Sequence, residues 1–319
     1  IDRRPLEFEF VAPGIEYIER VAHAAGTPVQ RFATGAAHYV FDISSVGREP
    51  VVARLGHPYR AAGLAEGTRL MAELHELGVP LPRVFAHGSI DGFPYMLIER
   101  LPGTDLGNVV TELTDPQLRA IAERVAAAQT AAARSPGGNR YGYAATPEAA
   151  PHDRWSNELD SNFARSVQRL TAAALFDPAV LAPVGAAIDR HRAELDAITA
   201  TPFLHDTTTR NVIVGPEGGF SGIVDVDDLC FGDPRYAPAL TLAALTSMRG
   251  PKHYVDYWMD AAGHRNDHIF SLYVALFLLD LMSEHGHVFN GNERPSTPEA
   301  RAVLLDTLTA ETARLATWS

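Results

Sequence analysis

The sequence predicts an α+β chain of two lobes, a small sheet-rich front part and a larger, mostly helical back part, with a cleft between them. Three observations point there. The first hundred residues alternate short apolar strand patterns with single amphipathic helices. An extended segment over residues 99–103 then runs out at Pro102 and Gly103, and from Leu106 onward the pattern becomes Ala- and Leu-rich and helical. With 319 residues, 46% of them hydrophobic, there is material for a core in each part. The expected lobes are 1–100 and 101–319.

The elements follow in order. "PGIEYIERVAHAAG" reads as a helix, with Pro13 near its start and Gly26 at its end. "AHYVFDIS" and "GREPVVARLG" read as a strand, a turn and a second strand, together a hairpin. "AGLAEGTRLMAELHELG" sets Leu64, Leu70, Leu74 and Leu77 near helical spacing and closes on Gly78. "FPYMLIERLPGTDL" is a short apolar strand leading out of the front lobe. In the back part, the helical pattern is broken by the loop "LHDTTTRN", by "NVIV" and "FSGIVDVDD" as short strands around the turn "GPEGG", and by "FGDPRYAP". There is no internal repeat.

Composition excludes several classes. No apolar run approaches the roughly 20 residues that a bilayer requires, and the opening "IDRRPLEFEF" lacks the apolar stretch of a signal peptide, so a soluble, cytoplasmic protein with no membrane partner is expected. The single cysteine, Cys230, rules out an intramolecular disulfide and a Cys-rich zinc site. The thirteen histidines are scattered, with no His-Glu-x-x-His pattern, which argues against a zinc enzyme. A net charge of -12 argues against nucleic acid. The first hundred residues hold 12 acids against 10 Arg, so most of that charge lies in the back part, where it attracts cations or simply maintains solubility. Basic residues are lopsided too, with Lys252 the only lysine.

Chemistry concentrates around the "GPEGG" hairpin. Asn211 precedes one strand and Asp225 follows the other, so folding the hairpin brings them to the same end. Asp206 lies five residues before Asn211 on the incoming loop. Two carboxylates and an amide oxygen are hard ligands that suit Mg²⁺, and one carboxylate can instead accept a proton from an attacking hydroxyl. Taken singly, each piece also fits turn, cap or solvated strand-end residues.

In combination, "HDTTTRNVIV", "GIVDVDD" and "FGDPRYAPAL" resemble the catalytic core of the aminoglycoside phosphotransferase family, whose fold is protein-kinase-like. The earlier pieces "VVARL", "EGTRLMAEL", "GVPLPRV" and "YMLIERLPGTDL" resemble that family's nucleotide strand, following helix, connecting signature and interlobe hinge, in the same order. The resemblance implies a kinase that uses ATP or GTP with Mg²⁺. It implies Asp206 as catalytic base, Asn211 and Asp225 as metal ligands, and Arg54 on the α- and β-phosphates, oriented by Glu66. Gly35 would let the backbone approach the phosphates. The backbone at Glu99 and Leu101 would meet the adenine edge, with Met96 and Leu97 lining its pocket, while Asp233 looks like the family's structural acid.

The chain departs from the family pattern at three places. Arg54 stands where many relatives have lysine, and an arginine keeps the charge and grips phosphate with two prongs. His205 comes immediately before Asp206, with Leu204 in the position two residues before it that is usually histidine. Thr208 follows where His is common, and the "VDVDD" run adds Asp227 and Asp228, which either hold a cationic acceptor or form a solvated loop end. Asp256, Asp260 and Glu284 are weaker acceptor candidates, read alongside "PHDRWSNELDSNF" as acids interleaved with aromatics that could bind an amine-bearing ring, or as an ordinary amphipathic surface. The expected activity is phosphorylation of a hydroxyl on an aminoglycoside-like or other natural-product antibiotic, with a resistance role, or on its precursor. The alternatives are a primary-metabolite kinase of choline, sugar or homoserine type, and a nucleotide-binding pseudokinase.

Overall fold

The computed structural model describes residues 20, 30–32, 38–44, 47, 49–56, 61–90, 92–289, 292–293 and 296–318. The helix expected over 13–26, apart from Arg20, and Gly35 fall outside the described residues.

The front part is an antiparallel five-stranded sheet in the order β1-β2-β3-β5-β4, built from β1 (Gln30–Arg31), β2 (Tyr39–Asp42), β3 (Val51–Leu55), β4 (Val84–Ile90) and β5 (Phe93–Glu99). The expected hairpin is β2–β3, in the register Val40↔Arg54. Helix α1 (Ala61–Glu76) packs on β4 and β5 with Leu64, Leu70, Met71 and Leu74 buried. On β5 burial alternates residue by residue, as a strand with helix on one face requires.

Two three-stranded sheets follow. Strand β6 (Thr104–Asp105) joins the hairpin of β9 (Val212–Val214) and β10 (Phe220–Ile223) in the order β10-β9-β6. Gly103 makes this crossing feasible: its φ is +112, and a Cβ there would overlap the Val214 carbonyl. The other sheet, β7-β11-β8, unites β7 (Gly142–Ala144), β8 (Thr201–Phe203) and β11 (Leu229–Gly232), with Cys230 opposite both Tyr143 and Phe203. It was not expected from the sequence. Short strands drawn from three distant segments offer no alternation to read.

Besides a two-stranded pair, Val288–Phe289 with Asn292–Glu293, the remainder is helical: α2 (Leu106–Val109), α3 (Asp115–Ala132), α4 (Trp155–Ala173), α5 (Leu181–Arg190), α6 (Arg192–Asp196), α7 (Tyr236–Ser247), α8 (His253–Ala261), α9 (His268–Ser283) and α10 (Pro298–Thr317). Helix α9 is apolar nearly all round because α4, α7 and α10 all pack against it. Trp155, Tyr236, Tyr254, Trp258 and Tyr273 fill this core. A second cluster joins Leu70, Leu74 and Met96 of the front part to Leu204, Ile223, Val226 and Phe231 of the back part, directly beneath the loops described next. No helix among the described residues is long and apolar enough to cross a membrane.

Candidate active site

Strand β8 ends at Phe203 and delivers the chain to the loop 204–211, which returns as β9. Helix α3 fixes that loop through Gln129. Its side chain accepts from the Leu204 N–H at 2.9 Å and donates to the Leu204 carbonyl at 2.8 Å and to Thr207 Oγ1 at 3.1 Å. Leu204, Thr207 and Thr209 point inward and are buried, while the Thr207 carbonyl accepts from Thr241 of α7 and the Thr209 carbonyl from the Gly107 N–H. Anchoring alternate residues leaves Asp206 and Thr208 half-buried on the open side, where the Thr208 hydroxyl donates to Asp206 Oδ1 at 3.0 Å.

Asn211 Nδ2 donates to the Asp206 carbonyl at 3.0 Å, and the Asn211 carbonyl accepts from the Val224 N–H at 2.9 Å. The hairpin thus brings Asn211 and the segment 224–228 to one end. Asp225 follows β10 in the left-handed region at φ 63, which costs a non-glycine residue about 1 kcal/mol and turns its side chain out of the strand's run.

Arg54 of β3 reaches this segment. The residue is 3% exposed, and its guanidinium donates NH1 to Asp227 Oδ1 and NH2 to Asp227 Oδ2, both at 2.9 Å, while NH2 also meets Asp225 Oδ1 and His38 Nδ1. Burial works to raise the Asp227 pKa, but Arg54 and His38 outweigh it and hold the carboxyl below its usual range. Asp225 moves the other way. Its burial among protein groups raises its pKa, Arg54 opposes, and the like charges of Asp227 and Asp206 add to the rise, although nearly half of the side chain is solvent-accessible. Three carboxylates therefore feel one another here.

The second cation is His205. Its Nε2 lies 2.6 Å from Asp228 Oδ1, and its ring stands edge-on to Tyr143 at 4.7 Å. Burial opposes protonation, yet Asp228, Asp206 and Asp225 together push its pKa up to about 9. The β8–β11 register explains the pairing: Cys230 opposite Phe203 sets Asp228 beside His205.

Several expectations need correction. Glu66 does not orient Arg54: it is exposed on α1, and Asp227 supplies the carboxylate instead. Gly67 is the reason, because a Cβ there would lie 3.2 Å from the Asp227 Cα and carbonyl oxygen, so the helix presses its bare face on that loop and Glu66 projects elsewhere. Met96 and Leu97 cannot line one wall. The register Arg54↔Met96 and Ala53↔Leu97 puts Met96 on the face of Arg54, fully buried toward α1, and Leu97 on the opposite face with Tyr39 and Phe41. Val52, two residues before Arg54, shares its face and packs against the same cluster as Met96. At the hinge, the Glu99 N–H donates to the Arg83 carbonyl, and the Glu99 carboxylate takes the Arg83 side chain.

The acceptor candidates fare differently. Asp227 and Asp228 face the site but are engaged by Arg54 and His205. Asp256 and Asp260 lie one turn apart on the solvent side of α8. That helix meets Asp115 at the start of α3 through the Tyr257 hydroxyl, roughly 20 Å along the helix from Gln129. Glu284 caps the end of α9, half-buried. The aromatics interleaved with these acids, Trp155 and Trp258, are in the core, where they cannot stack on a ligand. Asp233 is buried beneath Arg235 and the Tyr273 hydroxyl.

An antiparallel sheet joined to a helical part, with an acid-bearing loop and hairpin beneath the sheet's arginine, defines a phosphotransferase of kinase-like fold. The family model for the phosphotransferase enzyme family matches residues 28–272, and the chain belongs to that family. Solved structures with the same fold include the GDP and kanamycin complex of APH(2")-IIia, at 16% identity over 94% of this chain and 99% of that one, with a TM-score of 0.68. A thermostable mutant of aminoglycoside phosphotransferase APH(4)-Ia, in ternary complex with ADP and hygromycin B, gives 17% identity, 93% and 97% coverage and a TM-score of 0.65. Aminoglycoside phosphotransferase APH(3'')-Id from Streptomyces rimosus gives 17%, 84% and 97%, and 0.58. Among curated proteins there is no match.

Proposed function

We propose that the chain is an ATP- or GTP-dependent small-molecule kinase that phosphorylates a hydroxyl of an aminoglycoside-like or other natural-product antibiotic, or of its precursor. The observation that carries this reading is the convergence of Asp206, Asn211 and Asp225 at one end of the β9–β10 hairpin, opposite Arg54. In this reading residues 1–100 are the nucleotide lobe and 101–319 the catalytic and acceptor lobe.

The donor set fits Mg²⁺. Asn211 spends its amide nitrogen on the Asp206 carbonyl, which leaves Oδ1 as a hard oxygen donor, and Asp225 adds a carboxylate that is nearly half solvent-accessible. Asn211 and Asp225 would hold the ion, whose contribution when bound is to neutralise phosphate charge. Asp206 accepts the proton as the acceptor oxygen forms its bond to the γ-phosphorus and the nucleoside diphosphate leaves. Thr208, donating to Asp206 Oδ1, orients that carboxylate. Arg54 would meet the phosphates by releasing Asp225 to the metal, with its charge still held in place by Asp227. The hydrogen-bonding groups of the hinge at Glu99 and Leu101 would meet the base.

The deciding experiment pairs a thermal-shift screen of amine-bearing antibiotics with nucleotide turnover. Asp206→Ala should abolish nucleotide-dependent phosphorylation of whichever acceptor the screen finds while nucleotide binding survives. Turnover at the parent rate would overturn the assignment.

A further inference from the structure

Away from the loops that carry Asp206 and Asp225, two histidines and a glutamate from distant segments meet at one point. His191 sits at the break between α5 and α6, Glu194 lies three residues on in α6, and His268 is the first residue of α9. His191 Nδ1 is 3.0 Å from Glu194 Oε1, and His268 Nε2 is 2.8 Å from Glu194 Oε2. The two imidazole rings lie 4.6 Å apart, and Trp318 stands edge-on to His268 at 5.9 Å. One ligand atom from each of the three lies within 4.8 Å of the others.

We propose that His191, Glu194 and His268 bind a zinc-class divalent cation that ties the α5–α6 junction to the start of α9.

The donor chemistry selects the ion. Two imidazole nitrogens and one carboxylate oxygen form a borderline set that favours late first-row divalent metals over Mg²⁺, which seeks oxygen alone. Bonds of about 2.0–2.1 Å in a tetrahedron separate ligand atoms by roughly 3.3 Å. The observed nitrogen–oxygen separations fall a few tenths of an ångström short, and Glu194 is exposed and able to move by that amount. His191 cannot satisfy itself otherwise. It is 5% exposed, and its Nε2 has no hydrogen-bond partner among the described residues, so Glu194 is the group its ring is held against. Three protein ligands leave a fourth position for water.

Placement gives the site its consequence. His268 follows Asp267, which pairs with Arg235, and Arg235 in turn holds Asp233 at the start of the segment that leads into α7. A metal at His268 would therefore brace the α9 terminus on which that chain of ion pairs rests, without touching the reacting groups.

The test uses the full chain, stripped with a chelator and kept in excess Mg²⁺ so that oxygen-only sites are filled. Zn²⁺ alone is titrated against a chromophoric chelator, and Co²⁺ is added separately to read the visible absorption of a tetrahedral site. The expected result is one tight equivalent of zinc, a rise in Tm on adding it, and a cobalt spectrum. His268→Ala and Glu194→Gln should each lose the tight equivalent and the Tm response. Glu194→Gln keeps side-chain volume at an exposed position, so it reports binding even where a histidine variant folds poorly. A parent that binds no tight zinc, or variants that bind it as the parent does, would overturn the proposal and leave a hydrogen-bonded triad in its place.

Discussion

Arg54 and Asp227 form a two-pronged pair, each guanidinium nitrogen 2.9 Å from its own carboxylate oxygen, that links the front sheet to the segment after β10. Arginine makes this pairing possible. Its fork matches a carboxylate in one plane, whereas a lysine at the same place would offer a point charge. The arginine on β3, the acids of "VDVDD" and the bare face of α1 at Gly67 are thus parts of one arrangement.

Removing Asp227 should test that arrangement directly. Asp227→Asn leaves a buried guanidinium with Asp225 as its remaining carboxylate partner in the site, so a loss of about 1–3 kcal/mol is expected, less than for an isolated buried pair because that partner remains. Urea denaturation of parent and variant measures it. Arg54→Lys should keep the charge but weaken nucleotide binding, seen as a higher KM for nucleotide with a smaller change in kcat. Equal denaturation midpoints for Asp227→Asn and the parent would mean that Asp225 alone suffices.

The sequence made the frame of this site legible and left its supports obscure. The β2–β3 hairpin, the leucine stripe of α1 and the β9–β10 hairpin all show in local periodicity and in the "GPEGG" turn, and from them Asp206, Asn211 and Asp225 follow. Partners that depend on distant packing leave no such trace. Asp227 meets Arg54 across 173 residues of chain, and Gln129 stands in an alanine-rich helix with nothing nearby to distinguish it from a surface residue. Trp155 and Trp258 show the converse limit: helical spacing alone did not separate core aromatics from ligand-facing ones.

His205 predicts a pH dependence. Its pKa in the folded chain is pushed up to about 9, against an unfolded value near 6.5, so the charged form is favoured by folding. The stabilisation is fully present below about pH 6.5 and is lost as pH rises through about 9, amounting to at most about 3 kcal/mol. Asp228→Asn removes the largest source of the upward shift, so its stability should vary less across that window than the parent's. Denaturant midpoints at pH 6, 7.5 and 9 would show it. Parallel curves for parent and variant would mean that the His205–Asp228 contact at 2.6 Å is not what holds the proton.

Gln129 predicts a separable effect on the loop 204–211. Its amide serves both backbone groups of Leu204 and the Thr207 hydroxyl, and all of these are buried, so Gln129→Ala strands a buried donor and a buried acceptor at once. Each buried group left unpaired costs about 1–3 kcal/mol. Gln129→Glu is the sharper variant. A carboxylate still accepts from the Leu204 N–H but presents lone pairs to the Leu204 carbonyl, so one bond survives and the other turns repulsive. The expected order of Tm is parent above both variants, and at a temperature where every protein is folded kcat should fall in both. The KM for nucleotide should hold, because the damage lies beneath Asp206 and not beside Arg54. A rise in that KM with kcat unchanged would place Gln129 in the service of the nucleotide and not of the loop.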